Sequence, residues 1–193
     1  MIKYILSIDN GTTGSFCIMD IKTKDVVAFI TMPTFKIDKW TKAKKDKKAG
    51  HFTVIDIQEL KCALLNLPSE VSTENIKCYI ERPAVGFSGW GIWTSLSGMA
   101  AWVAVQYVLK ELNIPYETVD SKEWQSHLIP QAMGINNKAY MKQLKPGERN
   151  KLLKQASDEL AKKLYPKGVY PKGGDGDSVN MAYYYCLKEN NEL

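Results

Sequence analysis

The sequence predicts an α/β fold: a mixed five-stranded sheet that opens with antiparallel hairpins, continues with parallel strands and is flanked by helices. Three observations carry that expectation. The first three apolar, β-branched runs follow one another across short turns, which makes them hairpins. Two later runs each follow a helix-length stretch, which lets the chain cross back to the sheet. The last part of the chain has helical periodicity only, so the order is βββαβαβαα.

In chain order, residues 2–9 (IKYILSID) read as a buried strand ending at Asp9. Asn10 to Gly14 form a turn, and residues 15–21 and 25–31 form the next two strands. The basic segment 36–50 reads as a mobile loop. Asp56 caps a helix to about Leu67, since an aspartate there accepts from the free N–H groups of the first turn. Residues 76–81 (IKCYIE) form a buried strand ending at Glu81, and Arg82-Pro83 breaks it. A glycine and aromatic loop runs through Gly91, followed by a long helix over 92–112 with small residues at Ser97, Gly98, Ala100, Ala101 and Ala104. A short strand (115–119) and a short helix come next, then a basic helix from Gly147 to Leu164. After the turn PKGGDGD, a last helix covers 178–189. With no repeat and no linker, residues 1–193 are expected to form one domain.

Of the 193 residues, 45% are apolar and 24% charged, which suits one domain with a real core and excludes a disordered or fibrous chain. No run of about 18 apolar residues could span a bilayer, so no membrane partner is expected. The first strand begins at once, with no signal-peptide core, and the expected location is cytoplasmic. Cys17, Cys62, Cys78 and Cys186 form no CxxC pair, and His51 and His127 lie far from all of them. That pattern favours buried, reduced thiols over zinc or disulfides.

The formal charge is +5, and its distribution says more than its total. Residues 36–48 (KIDKWTKAKKDKK) carry a net +5, and residues 142–172 a net +6, which leaves −6 for the remainder. Runs of lysine this dense attract polyanions by releasing condensed counterions. Lys36, Lys39, Lys42, Lys44, Lys45, Lys47, Lys48, Lys151 and Lys154 are therefore candidate DNA contacts, and Trp40 among them could stack on a base. A solvated loop and a solvated helix face account for the same runs.

Three acidic positions stand where a rigid element meets a loop: Asp9, Glu81, and the pair Asp175 and Asp177. Carboxylates gathered in one place raise one another's pKa unless a cation neutralises them. A cluster with no His or Cys suits hard ions, Mg²⁺ or Mn²⁺. Two such ions about 4 Å apart can activate water for phosphodiester hydrolysis. Each residue also has a structural alternative. Asp175 or Asp177 could cap the last helix, Asp9 could order its own turn, and Glu81 could pair with Arg82 or a lysine. Gly11 and Gly14 could allow a backbone phosphate close, or simply turn the chain.

Together these segments resemble a known family. ILSIDNGTTGSFCIMD resembles the opening of RuvC-like Holliday-junction resolvases, and IKCYIERP resembles their second acidic block. GFSGWGIWTSLSGMAAWVAVQYVL is similar to the loop and helix that follow, IPYETVDSKEWQSHLIP to the short strand and W-x-x-x-L segment, and GDGDSVNMAYYY to the closing helix. The chain is most similar to the small variants common in bacteriophages. The resemblance implies an RNase H-like fold, a homodimer, two Mg²⁺ per site (Mn²⁺ substituting), and paired incisions in four-way DNA junctions. For a phage protein, the compartment is the cytoplasm of a bacterial host.

By position in those motifs, Asp9, Glu81 and Asp177 are the implied metal ligands and catalytic carboxylates, with Asp175 as the fourth. The family's usual partner aspartate lies three or four residues before the last one, where this chain has Gly174 and Gly173. Ser178 replaces an alanine, and Asn180 is unexpectedly polar. An apolar side chain that wedges into the junction centre is implied at Phe87 or Trp90; Trp93 lies nearby, but at the opening of a helix. Other classes share parts of the pattern. DNGTTGS also resembles the phosphate hairpin of actins and sugar kinases, but those need a second domain of about 100–200 residues. Another RNase H-like nuclease, or an inactive DNA-binding relative, shares the carboxylates or the basic runs.

Overall fold

In the computed structural model, the described residues are 1–38, 51–83, 92–132, 143–168, 170 and 176–193. Strands β1 (Tyr4–Ile8), β2 (Ser15–Asp20) and β3 (Val26–Thr31) form the expected antiparallel meander. Strand β6 (Ile76–Glu81) then pairs parallel to β1, and β7 (Tyr116–Val119) parallel to β6. The sheet order is β3-β2-β1-β6-β7, so β1 is central.

Because side chains alternate across a strand, each strand feeds two cores. Leu6, Ile8, Phe16, Ile18 and Ile80 face one side. There they pack under α1 (Ile57–Leu65) and α2 (Ile92–Glu111) through Leu60, Leu64, Val105 and Leu109. Ile5, Cys17, Met19 and Tyr79 face the other side, under α3 (Ser121–Ala132), α4 (Pro146–Leu164) and α5 (Asp177–Glu189). Trp124, Ala161, Val179 and Tyr185 close this second core. Asp56 caps α1 as expected, accepting from the N–H of Glu59 at 3.1 Å.

Two expectations need correction. Residues 36–38 are not loop: β4 (Thr34–Asp38) pairs antiparallel with β5 (His51–Ile55) as a separate ribbon, from Thr34 opposite Ile55 to Asp38 opposite His51. Alternating Phe35, Ile37, Phe52 and Val54 supply the strand preference that the surrounding lysines obscured. Cys62 is exposed, unlike the buried Cys17, Cys78 and Cys186. Leu60 and Leu64, one turn apart, take the inward face of α1, which leaves Cys62 outward.

Candidate active site

The parallel register of β1 and β6 runs from Tyr4 opposite Ile76 to Ile8 opposite Ile80. Asp9 directly follows β1, and Glu81 is the last residue of β6. Both share the parity of Ile5 and Tyr79, so both belong to the face covered by α3, α4 and α5. Asp177 is the first residue of α5, and that helix lies against β1 and β2.

The start of α5 is held by polar contacts. Ser7 Oγ donates to the carbonyl of Ser178, and Ser15 Oγ lies 2.6 Å from Ser178 Oγ. Ser178 therefore has buried partners on two strands. Gly176 precedes Asp177 at the N-cap, and a Cβ there would lie 2.2 Å from the Cβ of Ala161. Only glycine lets α5 start this close to α4. Because Gly176 is the cap, Asp177 is not.

Each carboxylate has its own anchor. The N–H of Gly11 donates to Asp9 Oδ1 at 3.2 Å, so Asp9 does order its own turn. Gly14 closes that turn, where a Cβ would stand 2.2 Å from the carbonyl oxygen of Asp9. Asn10 is buried, and its side-chain amide donates to the backbone carbonyl of Glu81, tying the turn to the end of β6. Glu81 accepts from Trp124 Nε1 at 3.2 Å. It forms no ion pair with Arg82 or a lysine among the described residues. Arg82 instead donates to the carbonyl of Thr118 at 3.4 Å. Asp177 Oδ1 accepts from Ser157 Oγ on α4.

The electrostatics link the three residues. Withdrawal from water, then the charge of Asp9, then that of Asp177 hold the Glu81 carboxyl well above the usual range, while the Trp124 hydrogen bond opposes the rise. Asp177 is pushed up to about 6 by burial and by Asp9, against the Ser157 hydrogen bond and the charge of Lys154. Both shifts are upward, and burial is the larger cause of each.

No group of three His, Cys, Asp or Glu side chains among the described residues stands in metal-holding geometry. In kind, however, the donors fit a hard divalent ion: three carboxylates with no nitrogen or sulfur ligand, two of them reluctant to ionise alone. Beside Asp177 a cleft of about 210 Å³ opens between α3 and α4, lined by Gln125, Ile129, Leu153, Lys154 and Ser157.

Lys36 is exposed on β4, and Lys151 and Lys154 are exposed on α4. Asp175, Phe87, Trp90 and the lysines at 39, 42, 44, 45, 47 and 48 lie outside the described residues. Sequence reading missed Trp124, Ser157 and Asp120 as neighbours of the site. Asp120 follows β7 and adds its charge near Glu81, while its Oδ1 accepts from the N–H of Lys122 at 2.8 Å. The available signal for Ser157 was a hydroxyl among the inward small residues Ala156 and Ala161.

No protein-family model matches the chain, and no curated protein matches it. Among solved structures, the chain is similar to Thermus thermophilus RuvC, at 10% identity and a TM-score of 0.47, with 98% of this chain and 97% of that one covered. It is also similar to T. thermophilus RuvC in complex with Holliday junction substrate, at 12% identity and a TM-score of 0.50, with 98% of this chain and 96% of that one covered. The likeness, with the mixed sheet and its order, makes the fold RNase H-like, of the RuvC kind.

Proposed function

We propose that this chain is a metal-dependent endonuclease that cuts four-way or otherwise branched DNA by phosphodiester hydrolysis. It acts as a homodimer in the cytoplasm, as a small resolvase of the type bacteriophages carry. The observation that carries this reading is the convergence of Asp9, Glu81 and Asp177, from two parallel strand ends and one helix start, with their charges coupled.

Asp9, Glu81 and Asp177, with Asp175, are the residues that would hold two Mg²⁺ or Mn²⁺. Bound there, the ions would activate water and stabilise the leaving oxygen. A cation held there would favour the ionised forms of Glu81 and Asp177. Trp124 orients Glu81 through its indole N–H. Lys154, beside Asp177, meets the DNA backbone with Lys151 and Lys36, and the remaining lysines of 39–48 extend that contact. Phe87 and Trp90 are the proposed wedge at the junction centre. Cleavage leaves 5′-phosphate and 3′-hydroxyl ends.

Dimerisation is supported by α2. Its inner face is buried through Ala101, Val105 and Val108, yet its outer face exposes Leu96, Val103 and Tyr107, at 52%, 58% and 57%. A helix apolar on both sides is ordinarily covered on both sides.

The test is incubation with a labelled four-way junction and a matching duplex, with and without Mg²⁺, beside Asp9→Asn. Symmetric nicks in the junction alone, lost with EDTA or in the variant, are expected. Cutting of other substrates instead would assign a different nuclease. The altered last motif, with Gly173 and Gly174 where the resembled family has its partner aspartate, favours a second reading, a DNA-binding relative that does not cut. Tight junction binding without incision in Mg²⁺ or Mn²⁺ would establish it.

A further inference from the structure

Asn180 is fully buried on α5, one turn after Asp177, and its polarity has no place in an apolar helix face. Its amide nitrogen lies 2.9 Å from the backbone carbonyl of Ser157 and 2.8 Å from Ser157 Oγ. A carbonyl can only accept, so the atom facing it must be the NH₂ and not the amide oxygen. The same NH₂ then donates to Ser157 Oγ. That hydroxyl has a single hydrogen, and with a donor already on one side it directs the hydrogen to Asp177 Oδ1. The donor order therefore runs one way, from Asn180 to Ser157 to Asp177.

We propose that Asn180 and Ser157 form a positioning relay that holds the Asp177 carboxylate in the orientation from which it ligates a divalent cation. The proposal rests on the metal-site reading above and deepens it. Ser157 is buried on α4, a helix separate from the one that carries Asp177, so the relay also couples cation affinity to the packing of α4 on α5. A ligating carboxylate is ordinarily held by such outer partners, whose loss costs about 10–100-fold in metal affinity.

The probe is Mn²⁺, titrated calorimetrically into the full chain and its variants without DNA, with each variant's thermal unfolding as the check on folding. Asp177→Asn sets the scale of a lost ligand. Ser157→Ala is expected to weaken Mn²⁺ binding by about tenfold or more. Asn180→Ala weakens it less, and the double variant binds no more weakly than Ser157→Ala alone, because the two act through one bond. Ser157→Thr keeps the hydroxyl and restores wild-type affinity, an outcome that a purely structural role for the serine does not produce.

Wild-type affinity in a folded Ser157→Ala overturns the relay, as do losses that simply add in the double variant, or a threonine that fails to rescue. If Asp177→Asn itself leaves Mn²⁺ binding unchanged, the metal-site reading fails, and the relay falls with it. The two failures are thus read from different variants.

Discussion

The indole Nε1 of Trp124 donates to Oε2 of Glu81 at 3.2 Å, which joins α3 to the end of β6. Trp124 is fully buried, so this bond is shielded from water. It pulls the Glu81 pKa down, against burial and the charges of Asp9, Asp177 and Asp120. Trp124→Phe keeps the ring in the core and removes the donor. The expected result is about a tenfold slower junction incision, with the acid limb of the pH–rate profile moved to higher pH. An unchanged profile would remove Trp124 from the site.

The metal-free protein should lose stability as pH rises from about 4 through 6. Asp177 has a folded pKa of about 6, above its unfolded 3.8, so the folded state binds more protons across that window. Stability contributed by the bound proton is complete below the lower value and disappears above the higher one. Glu81, also raised, contributes with the same sign. Thermal melts from pH 4 to 8 should show that slope in EDTA and its loss in Mg²⁺ or Mn²⁺. Asp177→Asn should flatten the EDTA slope.

Gly176→Ala puts a methyl group 2.2 Å from the Cβ of Ala161. Overpacking at a helix contact costs about 1–3 kcal/mol, and here it also displaces the start of α5 that carries Asp177. Urea unfolding should report the loss. Ala161→Gly on the same background removes the opposing methyl and should recover most of it.

Lys151→Ala and Lys36→Ala should each weaken DNA binding uniformly across sequences and reduce the salt slope by about 1. Lys154→Ala should do the same and also raise the pKa of Asp177, since the lysine charge now opposes that rise. Binding isotherms at several salt concentrations separate the two effects from a general loss of fold.

Val103→Glu and Tyr107→Glu alter only the exposed face of α2. For the proposed homodimer, sedimentation should show a dimer in the wild type and a monomer in the double variant. An unshifted mass with full junction cutting would place the dimer seam elsewhere.

The order of elements was legible in the sequence because strand and helix periodicities are local. So was the position of Asp9 and Glu81 at the ends of buried strands, since a carboxylate that ends a run of buried β residues stands out by composition alone. The ribbon of β4 and β5 was hidden, because its lysines argue for solvent while its pairing partner lies beyond the basic segment. Cys62 was misplaced because an apolar neighbourhood in sequence does not say which face of a helix a residue takes.

The parallel register that sets Asp9 beside Glu81, the seating of α5 by Ser7 and Ser15, and the contacts of Trp124, Ser157 and Asn180 were decided only by the tertiary structure. These are pairings across 20 to 171 positions of chain, and no local preference encodes them. Ser178 and Asn180 look like departures when read one residue at a time. In the fold Ser178 has buried partners and the Asn180 NH₂ meets Ser157, while Asn180 Oδ1 is buried without a partner among the described residues.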